Sequence, residues 1–421
     1  MWEEYKAKDS RIVRPLNGLE FFTAGLYFSL TDVFPKFSVE DFKKRAEENL
    51  PKIKVFNYGI KRIDGHLFFI EKPFKLYLEE VEYNENEEIE NHLKNEDKYV
   101  IPYTPIFEEN NEVTVLYFMR VCQLKNNKTK LTLTVSHAVC DGLSLFNMYN
   151  LLRKLINGET LEKNDEALCS FTGRERFQNL DESFEKPPEA WSEIPPLNIL
   201  PKIPEPIQYI TLHYIYDYPP IKKFCEENNV IIQGMLTAMV TRGVRKYKNL
   251  PKETKIWNPS AFDARFSSLA TEEYKNSHYY SNIAGLYPGV VGQNTLMEDI
   301  KHCTEETIKA RDANVNVRHL ISGANIINPE TLQLCPLNFP NHHAQAIINT
   351  RNIGHGNGTN PLFNIMAQSM YGMYNQVYHC YYTDEKLYIA AHMPINMDKA
   401  YIDAIKEEMD KIFIPENISK Y

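Results

Sequence analysis

Apolar and polar residues alternate in one short stretch in the first third of the chain. Leu131, Leu133 and Val135 are separated by single threonines, and this period of two predicts a β-strand with an apolar face. The preceding residues 113–122 are rich in β-branched and aromatic side chains, and residues 125–128 are polar turn formers. Together these segments predict a β-hairpin.

A helical period follows directly after this hairpin. Leu145, Met148, Leu152 and Leu155 recur at helical spacing, and the pair Asn157-Gly158 supplies a C-terminal stop. The change of period predicts a strand, then a tight corner, then a helix. The corner lies between the last strand residue and the first helical one.

Two further helices are predicted elsewhere in the chain. For residues 38–49, Ser38 is a good N-cap residue, Phe42 and Ala46 share one helical face, and Pro51 ends the pattern. Residues 230–247 also have the pattern of an amphipathic helix.

One proline-rich segment divides the chain. Residues 187–206 contain seven prolines, and such a density neither continues a helix nor fits inside a sheet. The segment predicts an extended crossover between a first half, residues 1–186, and a second half, residues 207–421. Each half is expected to combine strands with helices, so the predicted fold class is α+β.

Composition narrows the range of partners. Of the 421 residues, 43% are hydrophobic and 24% charged, and the net charge is −9. This balance is typical of a globular protein, and the acidic charge argues against nucleic acid or an anionic membrane as a partner. No stretch approaches roughly eighteen consecutive apolar residues, so no membrane span is predicted.

The cysteines and the N-terminal residues bear on the cellular compartment. Seven cysteines are scattered without a Cys-x-x-Cys pair, which fits reduced thiols. Residues 1–6 are charged and lack the apolar run of a signal peptide. Both observations predict a cytoplasmic protein. The oligomeric state stays open, with a monomer as one option.

The corner between the predicted strand and helix contains the most informative side chain, His137. If the strand extends this far, its alternation places the imidazole on the same side as the apolar residues, toward the interior. Asp141-Gly142 follows, and Gly142 suits a corner where a side chain would obstruct close packing. An imidazole held there is a candidate general base, because its pKa lies near neutrality.

Three other interpretations of this corner stay open. His137 fits the role of a hydrogen-bonded core or surface histidine. Cys140 is a conceivable nucleophile with His137 as its base. His137 and Asp141 would also make half of a metal site, but no cluster with metal-ligand spacing stands nearby, so no metal is expected.

The string Ser-His-Ala-Val-Cys-Asp-Gly, residues 136–142, resembles the HxxxDG motif of the CoA-dependent acyltransferase superfamily. That superfamily contains chloramphenicol acetyltransferase, alcohol acetyltransferases, the plant BAHD acyltransferases and the condensation domains of peptide synthetases. The motif lies near one third of the chain, which is similar to the longer members. The resemblance implies two chloramphenicol-acetyltransferase-like halves, each a mixed β-sheet flanked by helices, with a channel between them.

Other segments resemble this superfamily less specifically. They are residues 18–20, the helix at 230–247, residues 258–265 with their Asp-x-Arg end, residues 280–282, and residues 349–354 with an Asn-x-Gly strand. The chain also departs from the superfamily pattern at two points. Ser136 replaces the first histidine of the doubled pair common in the group, and the Asp-Phe-Gly-Trp-Gly motif of the plant branch is absent.

The resemblance also implies a role for each site residue. His137 would take a proton from the acceptor, while Asp141 would turn away and form a salt bridge with an arginine, for which Arg265 is the candidate. Asn352 and Gly354 would line the substrate channel. Acyl-CoA is the implied co-substrate, and no bound cofactor is expected.

The leading functional expectation is a CoA-dependent acyltransferase that moves a short acyl group, such as acetyl, to a small-molecule alcohol or amine. A condensation-like enzyme that uses a carrier-protein thioester is the first alternative. A non-catalytic binding protein that retains the fold is the second. The sequence shows neither the acceptor nor the length of the acyl chain.

Overall fold

In the computed structural model, strands and helices are mixed throughout the described residues, and the predicted α+β class is confirmed. The described residues are 2–24, 26–82, 113–124, 127–187, 209–280, 285–333, 346–349, 362–367, 377–394 and 397–418. The strands in these ranges are β1 (Ile12–Pro15), β2 (Leu26–Pro35), β3 (Tyr58–Ile63), β4 (His66–Glu71), β5 (Leu78–Val81), β6 (Thr114–Val115), β7 (Tyr117–Leu124), β8 (Lys128–Ser136), β9 (Tyr209–Asp217), β10 (Ile256–Trp257), β11 (Ser260–Ala261), β12 (Gly285–Leu286), β13 (Gly289–Val290), β14 (Ala346–Asn349), β15 (Leu362–Ala367), β16 (Val377–Tyr382) and β17 (Lys386–Pro394). The helices are α1 (Glu3–Lys8), α2 (Gly18–Thr23), α3 (Val39–Asn49), α4 (Gly142–Ile156), α5 (Tyr218–Asn228), α6 (Ile232–Lys248), α7 (Glu272–Lys275), α8 (Leu296–Asp312), α9 (Val315–Ala324), α10 (Lys399–Phe413) and α11 (Pro415–Ile418).

Two sheets organise the two main hydrophobic cores. A five-stranded sheet in the order β15-β2-β8-β7-β5 is antiparallel except where β5 lies beside β7, and α3 and α4 share its core. A four-stranded sheet in the order β14-β16-β17-β9 shares a core with α5, α6 and α10. The remaining strands form a four-stranded sheet, β1-β4-β3-β6, and the two-stranded pairs β10-β13 and β11-β12.

Strand β15 joins a late part of the chain to the sheet that contains the motif. It pairs antiparallel with β2, so that Leu362 lies opposite Thr31 and Ala367 opposite Leu26. This pairing was not predictable from the sequence, because hydrophobic patterns do not identify a distant strand partner. Residues 188–208, most of the predicted crossover, lie outside the described residues.

The predicted hairpin is present, with two differences. Its first arm bends at Leu116, so that β6 pairs with β3 while β7 pairs with β8. Its second arm, β8, is buried on both faces: Thr132 is 2% exposed, and its hydroxyl lies 2.9 Å from the Thr31 hydroxyl. The alternation of leucine and threonine therefore marks two interior faces of a central strand, one of them polar and internally hydrogen-bonded.

The predicted helices are confirmed, and local capping explains their ends. The Asp141 carboxylate accepts from the Ser144 N–H at 2.8 Å where α4 begins, and Gly158, with φ +82°, follows its end. Ser38 caps α3 by accepting from the Asp41 N–H at 3.2 Å. Helix α6 covers most of the amphipathic segment predicted at 230–247. Within the described ranges, no helix combines the length and the hydropathy needed to cross a membrane.

Glycines let α6 approach its neighbours closely. A Cβ added at Gly234 would lie 2.7 Å from the Thr304 Cα on α8, and one at Gly243 would lie 2.7 Å from the Ile405 Cα on α10. Both distances are shorter than real Cβ atoms tolerate. The glycines therefore set how near these helices pack in the second core.

We predict that Gly234→Ala destabilises the fold. An alanine at an open helical site would stabilise it by about 1 kcal/mol, but here the added methyl meets backbone. The free energy of unfolding, measured by urea denaturation, should fall by about 1–3 kcal/mol, the usual cost of overpacking a core. Unchanged or increased stability would contradict the close approach of α6 and α8.

Candidate functional site

The candidate site is the corner between β8 and α4. The strand ends at Ser136, whose N–H donates to the Leu116 carbonyl at 2.7 Å. Its hydroxyl then lies 3.3 Å from the Ala138 N–H, which donates to it, and the Val139 N–H donates to the Ser136 carbonyl at 3.2 Å. These bonds turn the chain immediately after the strand and place His137 in the turn.

His137 is buried, with 5% of its surface exposed. Its ring lies against Phe28 of β2, with 3.8 Å between ring centroids. Its Nδ1 is 2.6 Å from the Cys140 carbonyl oxygen. Because a carbonyl can only accept, Nδ1 bears the proton in the neutral ring, and Nε2 keeps its lone pair.

The surroundings of His137 keep the imidazole neutral near pH 7. Burial lowers its pKa to about 4, and this effect exceeds the opposing influence of the Cys140 carbonyl and the Asp141 charge. A neutral ring with a fixed tautomer can take up a proton at Nε2. The geometry therefore allows proton abstraction without a preceding deprotonation of the histidine.

Asp141 and Arg265 are brought together by the structure. The Arg265 Nη2 donates to both carboxylate oxygens of Asp141, at 2.9 and 2.8 Å. The arginine side chain is only 2% exposed and that of Asp141 15%. Gly142 is the first residue of α4 and does not have a left-handed backbone.

Arg265 has further partners on every side of its guanidinium group. Its Nε donates to Asp263 at 2.8 Å, and its Nη1 donates to the Ser277 carbonyl at 3.1 Å and lies 3.4 Å from the Ser144 hydroxyl. Burial opposes the charge of Arg265, but the two carboxylates outweigh it and raise the pKa of the arginine. Burial and the charge of Asp141 raise the pKa of Asp263, although Arg265 acts in the opposite direction.

A second buried ion pair, which was not predicted from the sequence, joins Arg14 and Glu20 in the first described residues. Arg14 donates through two nitrogens to the two carboxylate oxygens of Glu20, both at 2.7 Å. Tyr280 donates its hydroxyl to the same carboxylate. Asn17 and Glu20 form the capping box of α2. The pattern Asn17-x-x-Glu20 was visible in the sequence as a signal for the start of a helix.

The remaining sequence-predicted features have different outcomes. Asn352 and Gly354 lie outside the described residues. Burial raises the pKa of the Cys140 thiol well above its usual value, so the thiol stays protonated and is a poor nucleophile. Among the described residues, no group of three or more His, Cys, Asp or Glu side chains could hold a metal ion.

No protein-family model matches the sequence, and no curated protein matches it either. Solved structures do share its fold. Polyketide synthase associated protein 5 from Mycobacterium tuberculosis is 13% identical, with a TM-score of 0.62 over 97% of this chain and 99% of that one. The first condensation domain of the CDA synthetase is 10% identical, with a TM-score of 0.62 over 96% of this chain and 91% of that one.

A third solved structure is TRI101 from F. graminearum in complex with ethyl coenzyme A. It is 10% identical, with a TM-score of 0.61 over 94% of this chain and 96% of that one. At such identities the likeness shows the fold alone. That fold is the one expected from the resemblance of residues 136–142, and it extends over nearly the whole chain.

We predict that Asp141→Asn destabilises the protein mainly through the lost ion pair. Asparagine is as good an N-cap residue as aspartate, so the cap of α4 should persist. Arg265 would then lose one of its two charged partners. We expect the free energy of unfolding to fall by about 2 kcal/mol, the scale of hydrogen bonds to charged groups.

Asp181→Asn is the matched control for this variant. Asp181 is an exposed cap residue that accepts from the Ser183 N–H at 2.7 Å. Chemical denaturation should show no measurable change for this control. Equal losses in the two variants would show that the pair between Asp141 and Arg265 adds nothing beyond a helix cap.

Proposed function

We propose that this protein is an acyltransferase that moves a short acyl group, such as acetyl, from coenzyme A to the hydroxyl or amine of a small molecule. His137 is the general base. The observation that supports this role best is the hydrogen bond from Nδ1 to the Cys140 carbonyl, at 2.6 Å. It leaves Nε2 as the basic nitrogen of a buried, neutral ring.

In the proposed reaction, Nε2 of His137 removes the proton from the acceptor as its oxygen or nitrogen attacks the thioester carbonyl carbon. The tetrahedral intermediate then collapses, the carbon–sulfur bond breaks, and the leaving thiolate takes the proton back from Nε2. No acyl group is attached to the enzyme. Holding both substrates in line lowers the barrier further, because a bimolecular encounter becomes an intramolecular one.

The proposed reaction takes place between the two halves, residues 1–186 and 207–421. Donor and acceptor would enter a channel there from opposite sides. Asn352 and Gly354 stay predictions as residues that line this channel. Asp141, Gly142 and Arg265 would hold the corner so that the imidazole keeps its orientation.

Three observations bear on the donor and the compartment. TRI101, which has this fold, was solved with ethyl coenzyme A, and this supports a CoA thioester as the donor. The condensation domain with the same fold supports a carrier-protein thioester as the alternative donor. The six described cysteines are free thiols, which supports a reducing compartment, and we propose the cytoplasm.

Release of free thiol from acetyl-CoA, in the presence of a panel of alcohols and amines, tests this function. Relative to the wild type, His137→Ala should lower the rate by about 10²–10⁴-fold, the usual contribution of general-base catalysis. His302→Ala on α8 is the control and should retain the wild-type rate. Equal release by the wild type and His137→Ala would refute His137 as the base.

The same assay distinguishes the two donors. Acetyl-CoA and an acyl-phosphopantetheine carrier protein are offered in parallel, with the same acceptor panel. Release from the carrier protein alone would favour the condensation-like enzyme. Release from neither donor would favour the non-catalytic alternative.

The pH dependence of kcat/KM should follow the lowered pKa of His137. Burial lowers this pKa from 6.5 to about 4, so the basic form persists as the pH falls below 6.5. Activity should therefore decline only as the pH approaches about 4. A loss of half the activity near pH 6.5 would contradict a buried base, provided that activity returns after readjustment to pH 7.

A further inference from the structure

Glu166 lies after α4 and binds a short backbone segment of the second half. Its carboxylate accepts from the N–H groups of His278, Tyr279 and Tyr280, at 2.9, 3.2 and 3.0 Å. It also accepts from the Ser277 hydroxyl. Residues 277–280 are called the tether segment below.

The tether segment in turn contacts both sides of the candidate site. The Ser277 carbonyl accepts from Arg265 Nη1 at 3.1 Å. The His278 carbonyl accepts from the Asn147 side chain, on α4, at 2.9 Å. One continuous set of hydrogen bonds therefore runs from Glu166 through Ser277 and Arg265 to Asp141.

A carboxylate is the group that this arrangement requires. Three consecutive backbone N–H groups and one hydroxyl converge on Glu166, and an ionised carboxylate offers only acceptors. An amide of the same shape would turn its NH₂ group toward at least one of these donors. The tether segment would then lose part of its anchorage while the side-chain volume stays the same.

We propose that Glu166 is a positioning residue: through the tether segment it fixes Arg265 against Asp141, and thereby holds the corner that presents His137. This inference rests on the proposed acyl transfer. The hydrogen bonds of the Glu166 carboxylate reach the tether segment and not the imidazole. Its effect is transmitted by Ser277 and Arg265.

The fold has a separate anchor for the same segment, so loss of Glu166 should leave the protein folded. Tyr280 is buried, and its hydroxyl donates to Glu20 beside Arg14. The Arg176 guanidinium lies over the Tyr280 ring, 4.8 Å from its centroid. These contacts hold the end of the tether segment independently of Glu166.

Glu166→Gln is the test variant, and Glu162→Gln, at an exposed position in the same loop, is the matched control. We expect Glu166→Gln to lower kcat by about 10–100-fold, the scale of a small misplacement of catalytic groups. KM for acetyl-CoA should stay within about twofold, because the donor's own contacts are unchanged. Glu162→Gln should match the wild type in both constants.

The titration of His137 provides a readout that does not need turnover. The Asp141 charge raises the pKa of His137, and Arg265 neutralises that charge. If Arg265 withdraws in Glu166→Gln, the pKa of His137 should rise toward its ordinary value. The imidazole Cε1–H signal, assigned by its absence from His137→Gln, reports this pKa by NMR.

The two readouts separate failure of this inference from failure of the proposed function. Wild-type kcat together with an unchanged His137 titration in Glu166→Gln would overturn the positioning role. A loss of stability and activity with an unchanged titration would overturn it as well, because it would show a merely structural role. If the wild type turns over no thioester, the acyl transfer fails, while a raised His137 pKa in Glu166→Gln would still support the positioning role.

Discussion

A buried arginine between two aspartates is the constraint on which the candidate site depends. Arg265 is almost fully removed from water, and such a charge is tolerated only when its partners stand at hydrogen-bonding distance. Asp263 belongs to the same turn as the arginine, whereas Asp141 belongs to the first half of the chain. Satisfying the guanidinium therefore fixes the corner at Asp141 against the turn that contains Asp263 and Arg265.

The residues of the motif have separate roles at the corner. The Asp141 carboxylate caps α4 and pairs with Arg265, so it is not the group that orients the imidazole. The backbone carbonyl of Cys140 does that instead, and it selects the tautomer of His137. A backbone group supplies no full negative charge, so burial remains the dominant influence and the ring stays neutral.

The sequence predicted what is local and missed what depends on distant partners. Helices α3 and α4 were predictable, because caps, apolar stripes and stops lie within one helix length. The motif resemblance indicated the superfamily fold and paired Asp141 with Arg265. The bend at Leu116 was not predicted, because the residues before and after it have the same strand-like composition. The two segments differ only in the sheet they join: β6 pairs with β3, and β7 pairs with β8. Glu166 was missed because it is a loop carboxylate whose partners are backbone N–H groups more than a hundred residues away.

The pairing of β15 with β2 has a consequence for how the chain matures. During synthesis, β2 and β8 emerge before the histidine corner, but the strand that covers the other edge of β2, β15, is made more than two hundred residues later. Until then β2 offers unpaired N–H and C=O groups to any neighbouring chain. A shorter delay between β8 and β15, or a chaperone bound to that edge, would reduce its exposure during synthesis.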